Sequence, residues 1–275
     1  MKKVYQVWFS ATGTTRRVVE EIAGAIAQEC GWERVTRDFT LPAGRQEPLR
    51  FDRGDVVVLG TPVYAGRVPN VLLKYLATLQ ADGALAVPVV VYGNRDFDDA
   101  LIELRDLLMD GGALPIAAGA FVAEHSFSKV LAAGRPDAQD VEKARGFGRA
   151  VAALLTEEGE IKPVEVPGVP RPYRGYYQPR DRKGNPVDIR KVKPLVSDTC
   201  DQCGVCVRLC PMGSIDPENV RAYTGICIKC GACIKGCPKG ARYYDDAGYL
   251  YHQHELEEGL TRRAEPCWFV GKRAH

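Results

Sequence analysis

Two hydrophobic periodicities alternate along the first 156 residues. Apolar runs at 3–9 (KVYQVWF), 34–39 (RVTRDF), 55–60 (DVVVLG), 87–93 (VPVVVYG) and 115–124 (PIAAGAFVAE) predict strands. The run at 55–60 is apolar almost without interruption, as expected of a central parallel strand buried on both faces. Between the strands, residues 14–30, 70–79, 98–112 and 137–155 carry apolar positions at helical spacing. Glycines close the third of these helices, and Asp137 is placed to cap the fourth. The alternation predicts an α/β domain: a doubly wound, five-stranded parallel sheet of order 2-1-3-4-5, with ligands expected at the carboxyl ends of its strands.

Composition changes after residue 156. Residues 157–197 are rich in proline, arginine and lysine, with Tyr173, Tyr176 and Tyr177 interleaved. Tyrosines among arginines are one signature of a nucleic-acid arm, but acidic residues interrupt the basic ones, and a linker lying against the first domain is the expected reading. Residues 198–245 hold most of the cysteines and form a small second domain, leaving a tail at 246–275. The tail is expected to form a short helix that docks back through Trp268 and Phe269, or else to meet a partner. A net charge of +2 requires neither nucleic acid nor a membrane as partner. No apolar run reaches the ~20 residues of a membrane span, and the N-terminus lacks a signal-peptide core, so a cytoplasmic location is expected.

Of the ten cysteines, all but Cys30 and Cys267 fall between Cys200 and Cys237. In the cytoplasm that density argues for metal or redox chemistry over disulfides. The segment repeats itself: CDQCGVCVRLCP (200–211) matches CIKCGACIKGCP (227–238), both of the form C-x2-C-x2-C-x3-C-P. Zinc sites separate two close ligand pairs by a longer loop, whereas cysteines at successive x2 intervals converge on one face of an iron–sulfur cluster. A double zinc site or a folding staple is the competing reading. Gly204 and Gly231 permit tight wrapping around the sulfurs, and Pro211 and Pro238 turn the chain away.

The segment resembles bacterial-type 2[4Fe–4S] ferredoxins. By that resemblance the fourth cysteine of each run crosses to the other cluster. Cys200, Cys203, Cys206 and Cys237 would hold one cluster, and Cys227, Cys230, Cys233 and Cys210 the second. Lys229, Lys235, Lys239 and Arg242 surround the second run and would tend to raise the local potential.

Three loops leave the carboxyl ends of the predicted strands. SATGTT (10–15) opens the first helix, where backbone N–H groups and the hydroxyls of Ser10, Thr12, Thr14 and Thr15 can encircle a phosphate. It has neither the Walker lysine nor the dinucleotide fingerprint; a capped helix start that binds nothing is the alternative. GTPVYAGRVPN (60–70) and YGNRDFDDA (92–100) place Tyr64 and Phe97 to sandwich a flat aromatic ligand, with Gly66, Gly93 and Asn94 allowing close backbone approach. The alternatives are a half-buried loop aromatic for Tyr64 and a hydrophobic staple for Phe97.

These loops resemble those of the flavodoxin family, which binds flavin mononucleotide (FMN). The resemblance implies a phosphate loop of Ser10, Ala11, Thr12, Gly13, Thr14 and Thr15. It implies ring loops containing Thr61, Pro62, Val63, Tyr64, Ala65 and Gly66, and Gly93, Asn94, Arg95, Phe97 and Asp99. A carbonyl at Ala65 or Gly66 would turn toward the reduced flavin. The whole chain is similar to flavodoxin–ferredoxin fusion proteins of anaerobes, including the YGNR and EHSF stretches. His125, in EHSF, is expected to pack in its loop rather than catalyse, and His252 and His254 are expected to be exposed.

No nucleophile elbow, metal-hydrolase motif or paired acid and base is evident. The resemblance implies electron transfer among two [4Fe–4S] clusters and FMN, to or from redox partner proteins, a low-potential donor and an acceptor enzyme. An FMN-dependent reductase of a small molecule or quinone is the alternative. It would need a substrate cavity bordered by His125, Tyr64 and Arg95. A third reading makes the cysteine segment an assembly or sensing module.

Overall fold

The computed structural model describes residues 2–181 and 183–274; Met1, Arg182 and His275, which the expected domain boundaries include, lie outside the described residues. Strands β1 (Lys3–Trp8), β2 (Glu33–Asp38), β3 (Val56–Pro62), β4 (Leu85–Tyr92) and β5 (Ala117–Val122) form a parallel sheet in the order 2-1-3-4-5. That is the flavodoxin-like doubly wound order expected from the alternating periodicities. Helices α1 (Thr14–Cys30), α2 (Asn70–Leu76), α3 (Ala100–Asp110) and α4 (Ala138–Thr156) make the crossovers.

The uninterrupted apolar run of β3 is explained by two separate cores. Val56 and Val58 pack with α1 and α4 in one, while Val57 and Leu59 pack with α2 and α3 in the other. Asp137 caps α4 in a capping box, accepting from the N–H groups of Gln139 and Asp140. Helix α2 stops at Leu76, short of the expected residue 79, because tight turns at Thr78 and Leu79 deliver the chain to a short strand pair.

The cysteine-rich segment contains β6 (Leu195–Val196), α5 (Val205–Leu209), α6 (Ala232–Lys235) and β7 (Arg242–Tyr243), with β6 and β7 antiparallel. Helix α7 (Ala247–Gly259) follows, and the chain then returns to the first domain. There β8 (Cys267–Val270) joins the sheet antiparallel to β5. Trp268 docks as expected, 6.4 Å from Phe121 and 6.0 Å from Phe147, while Phe269 packs against the opposite core. The added strand itself was not foreseen. No helix among the described residues is long and apolar enough to cross a membrane.

Candidate functional site

The repeat builds two hollows, and each takes cysteines from both of its halves. Cys200, Cys203, Cys206 and Cys237 line one. Cys227, Cys230, Cys233 and Cys210 line the other. The backbone repeats as faithfully as the sequence. Gln202 and Lys229 have φ of 59° and 56°, and Gly204 and Gly231 have φ of 70° and 75°. Two left-handed residues in each turn wrap the chain around a centre, and glycine carries the second without steric cost. Each crossing cysteine also accepts a backbone N–H at its sulfur: Ser214 donates to Cys210 at 3.4 Å and Ala241 to Cys237 at 3.3 Å. Among the described residues, no three His, Cys, Asp or Glu side chains are grouped to hold a single metal ion. Eight cysteines divided four and four between two hollows suit two multi-iron cages.

The surroundings of the hollows differ. Cys203 is exposed at the mouth of the first, beside Asp201, Gln202 and Lys239. The second is lined by Ile215, Ile226, Ile228, Tyr223 and Tyr244, and its Cys230 is only 8% exposed. Burial pushes the Cys230 and Cys233 thiols up to about 12. This hollow lies against the α/β domain. Lys235 ties it there through an ion pair to Glu124 and a 2.7 Å bond to the His125 carbonyl. A Cβ on Gly231 would meet the Ser126 carbonyl at 2.6 Å. On the other flank Arg45 donates to the Pro211, Phe39 and Thr40 carbonyls at 2.6, 2.8 and 2.6 Å.

The loops at the strand ends meet this buried hollow. Val63 continues the β3–β4 ladder, donating to the Val91 carbonyl at 2.8 Å. Pro62 ends β3. Tyr64 and Arg67 then close a tight turn, with Ala65 and Gly66 at φ of 51° and 78°. Tyr64 approaches the cysteines: burial, then Cys230 and Cys227, hold its hydroxyl well above the ordinary tyrosine range.

The turn's two carbonyls are engaged. Ala65 accepts from the Tyr177 N–H at 2.8 Å and Gly66 from the Asp99 N–H at 3.1 Å. Turning either carbonyl elsewhere costs one of these bonds. Asn94 is committed to the tail, bonding Leu260, Arg262 and Ala264 at 3.0, 2.8 and 3.0 Å. Gly93 packs against His125. Arg95 pairs with Asp98 and lies over the Tyr177 ring at 4.6 Å. Phe97 rests 5.7 Å from Tyr92 on the core.

Asp99 is 0% exposed. It accepts from the Val169 and Arg174 N–H groups, each at 2.9 Å, and pairs with the Arg174 guanidinium. Bonding by Arg174 outweighs the cost of burial and holds its carboxyl well below the usual range. Residues 169–177 therefore form a strap over the loops at 61–67 and 93–99. Tyr176 donates to the Val68 carbonyl at 2.9 Å, and Arg67 faces the Tyr173 and Tyr176 rings at 4.7 and 5.1 Å. Sequence reasoning foresaw a linker against this domain but not these grips, which join residues far apart in the chain.

His125 packs in its loop as expected: its Nδ1 accepts the Phe127 N–H at 3.1 Å and burial lowers its pKa to about 3. His252 corrects the expectation of exposure. It is 4% exposed, enclosed between Phe127 and Tyr177 at 6.3 and 5.9 Å, because α7 folds onto the domain junction. His254 is exposed. Tyr244, in the lining of the second hollow, stacks on Tyr249 at 3.8 Å, and Tyr249 meets Phe127 at 4.8 Å.

The loop at 10–15 fits an anion. Gly13 has φ of 85° at the start of α1. Ser10 donates its N–H to Thr40 Oγ1 at 2.8 Å and accepts from Arg16 N–H at 2.9 Å. The Thr12 and Thr14 hydroxyls are 3.4 Å apart. The N–H groups of Thr12, Gly13, Thr14 and Thr15 find no acceptor among the described residues. Ala11 packs against the core, and Thr15 is buried beside Gly60. Thr61, fully buried, keeps a hydroxyl with no hydrogen-bond partner among the described residues. This donor-rich cradle fits the phosphate end of a flavin mononucleotide.

Residues 199–242 match the family model described as a 4Fe-4S dicluster domain. No curated protein matches the chain. Among solved structures, a flavodoxin from the domain Archaea is 14% identical, covering 57% of this chain and 100% of its own, with a TM-score of 0.39. A flavodoxin of Streptococcus pneumonia TIGR4 is 19% identical, covering 56% and 99%, at 0.39. An NADH:FMN oxidoreductase in its apo form is 18% identical, covering 54% and 88%, at 0.36.

Proposed function

We propose that the chain is an electron-transfer protein that relays low-potential electrons between two [4Fe–4S] clusters and an FMN, to or from a redox partner protein. When bound, the clusters pass single electrons and the flavin accepts one or two. Cys200, Cys203, Cys206 and Cys237 hold the outer cluster. Cys227, Cys230, Cys233 and Cys210 hold the inner one. Residues 10–15 hold the flavin phosphate, and the turns at 61–66 and 93–99 border its ring.

One arrangement carries this reading: the outer hollow has the exposed Cys203 at its mouth while the inner, around the buried Cys230, is packed against the strand-end loops, with Tyr64 beside its cysteines. The chain's own residues hold the inner junction together. Lys235 and Arg45 clamp the cysteine segment, the strap fixes the ring loops, and Tyr244, Tyr249 and Phe127 fill the space between. Fusing donor and acceptor in one chain gives a high effective concentration of each for the other.

The reductase alternative draws no support from the residues that would border its cavity. His125 packs on Gly93, and Arg95 lies over the Tyr177 ring. Pulse reduction of the anaerobic holoprotein tests the relay. Cluster absorbance should bleach first and return as the flavin is reduced. Flavin reduction at the same rate in Cys230→Ser and the unaltered chain would refute the path. Sustained turnover of a quinone without a partner protein would favour the reductase.

A further inference from the structure

Laid over one another, the two halves of the repeat place Arg242 where the first half has Ile215. Each residue is 3% exposed. Ile215 lines the inner hollow and Arg242 the outer. Burying a cation is costly unless an anion accompanies it, yet no carboxylate pairs with Arg242 among the described residues. Its guanidinium donates to the Tyr223 hydroxyl at 2.9 Å and to the Val220 carbonyl, both uncharged acceptors. Tyr223 itself lines the inner hollow, so the cation lies between the two sets of cysteines. Burial lowers its pKa, but Tyr223, Cys206 and Cys233 more than offset this. The last two are cysteines of different hollows.

We propose that Arg242 is the counter-ion of the paired centres: its charge balances the anionic clusters and raises their reduction potentials, the outer one more. The inference rests on the relay reading. One electron entering a centre makes it one unit more negative, and a fixed cation beside its sulfurs stabilises that state. Lys229 is the other buried cation here, but its ammonium bonds the Arg190 and Cys227 carbonyls at 2.7 and 3.0 Å, at the inner hollow alone. Arg242 therefore belongs to both centres, and its effect should reach both.

The test is an EPR-monitored redox titration of the anaerobically loaded full chain, its Arg242→Met variant and its Arg242→Lys variant, each with iron and sulfide counted. The outer centre is identified as the one broadened by an aqueous paramagnetic relaxant. In Arg242→Met its one-electron equilibrium should shift toward the oxidised form at least about tenfold, ~59 mV. The inner centre should shift less in the same direction, and Arg242→Lys should retain most of the unaltered behaviour. A fully loaded Met variant with unaltered potentials would overturn the proposal alone. Loss of iron from both variants would overturn it by assigning Arg242 to folding. An unaltered chain that binds no clusters would overturn the relay reading beneath it.

Discussion

The two hollows share ligand spacing, left-handed turns and an N–H bond to each crossing sulfur, yet the first has an exposed cysteine at its mouth and the second is packed against the α/β domain around a buried one. The repeat therefore encodes the cage but not its surroundings. Those come from parts without internal symmetry: the strap, α7 and the strand-end loops of the α/β sheet. Two copies of one motif can in this way come to lie in different surroundings.

The largest expected effect comes from removing a ligand on either side. Cys203→Ser and Cys230→Ser should each lose roughly half the iron, since each empties one four-iron cage. Only Cys230→Ser should also loosen the junction, seen as faster hydrogen exchange at residues 124–128 and in α7. Equal exchange in the two variants would remove the distinction between outer and inner. Next is the clamp. Lys235→Met deletes charge-assisted bonds to Glu124 and the His125 carbonyl and should cost about 1.5–3 kcal/mol, measured by denaturant unfolding of the loaded protein.

The strap supplies a pH test of similar size. The Asp99 carboxyl is held below its ordinary value in the folded protein. Its contribution is thus complete above the unfolded pKa of about 3.9 and lost as pH falls toward the folded value. Asp99→Asn should flatten that acid limb and speed exchange at the Tyr177 N–H, whereas an unchanged limb would assign the acid sensitivity to other carboxylates. The smallest effect belongs at the outer rim. Lys239, 4.0 Å from Asp201, is exposed, and Lys239→Ala should change stability by less than about 0.5 kcal/mol.

Much of this architecture was legible in the chain. The switch between strand and helix periodicity predicts the 2-1-3-4-5 sheet, because buried parallel strands and covering helices impose different spacings on the same apolar residues. The duplicated cysteine run is legible for a similar reason, since ligand spacing is local. What escaped is non-local. Cys267–Val270 is too short to announce a strand and forms one only because the edge of β5 is open to it. His252 looks polar and solvated in YHQHE, and only the packing of α7 against Phe127 and Tyr177 buries it. Arg242 stood among several basic residues, and its distinction needed both the repeat alignment and its burial.

The most direct test of the central claim is composition: iron, acid-labile sulfide and flavin counted on the same anaerobically purified and reconstituted full chain. The account predicts about eight irons, about eight sulfides and one FMN per chain. A chain that keeps one or two metal ions without sulfide, or that retains no flavin after reconstitution, would contradict it.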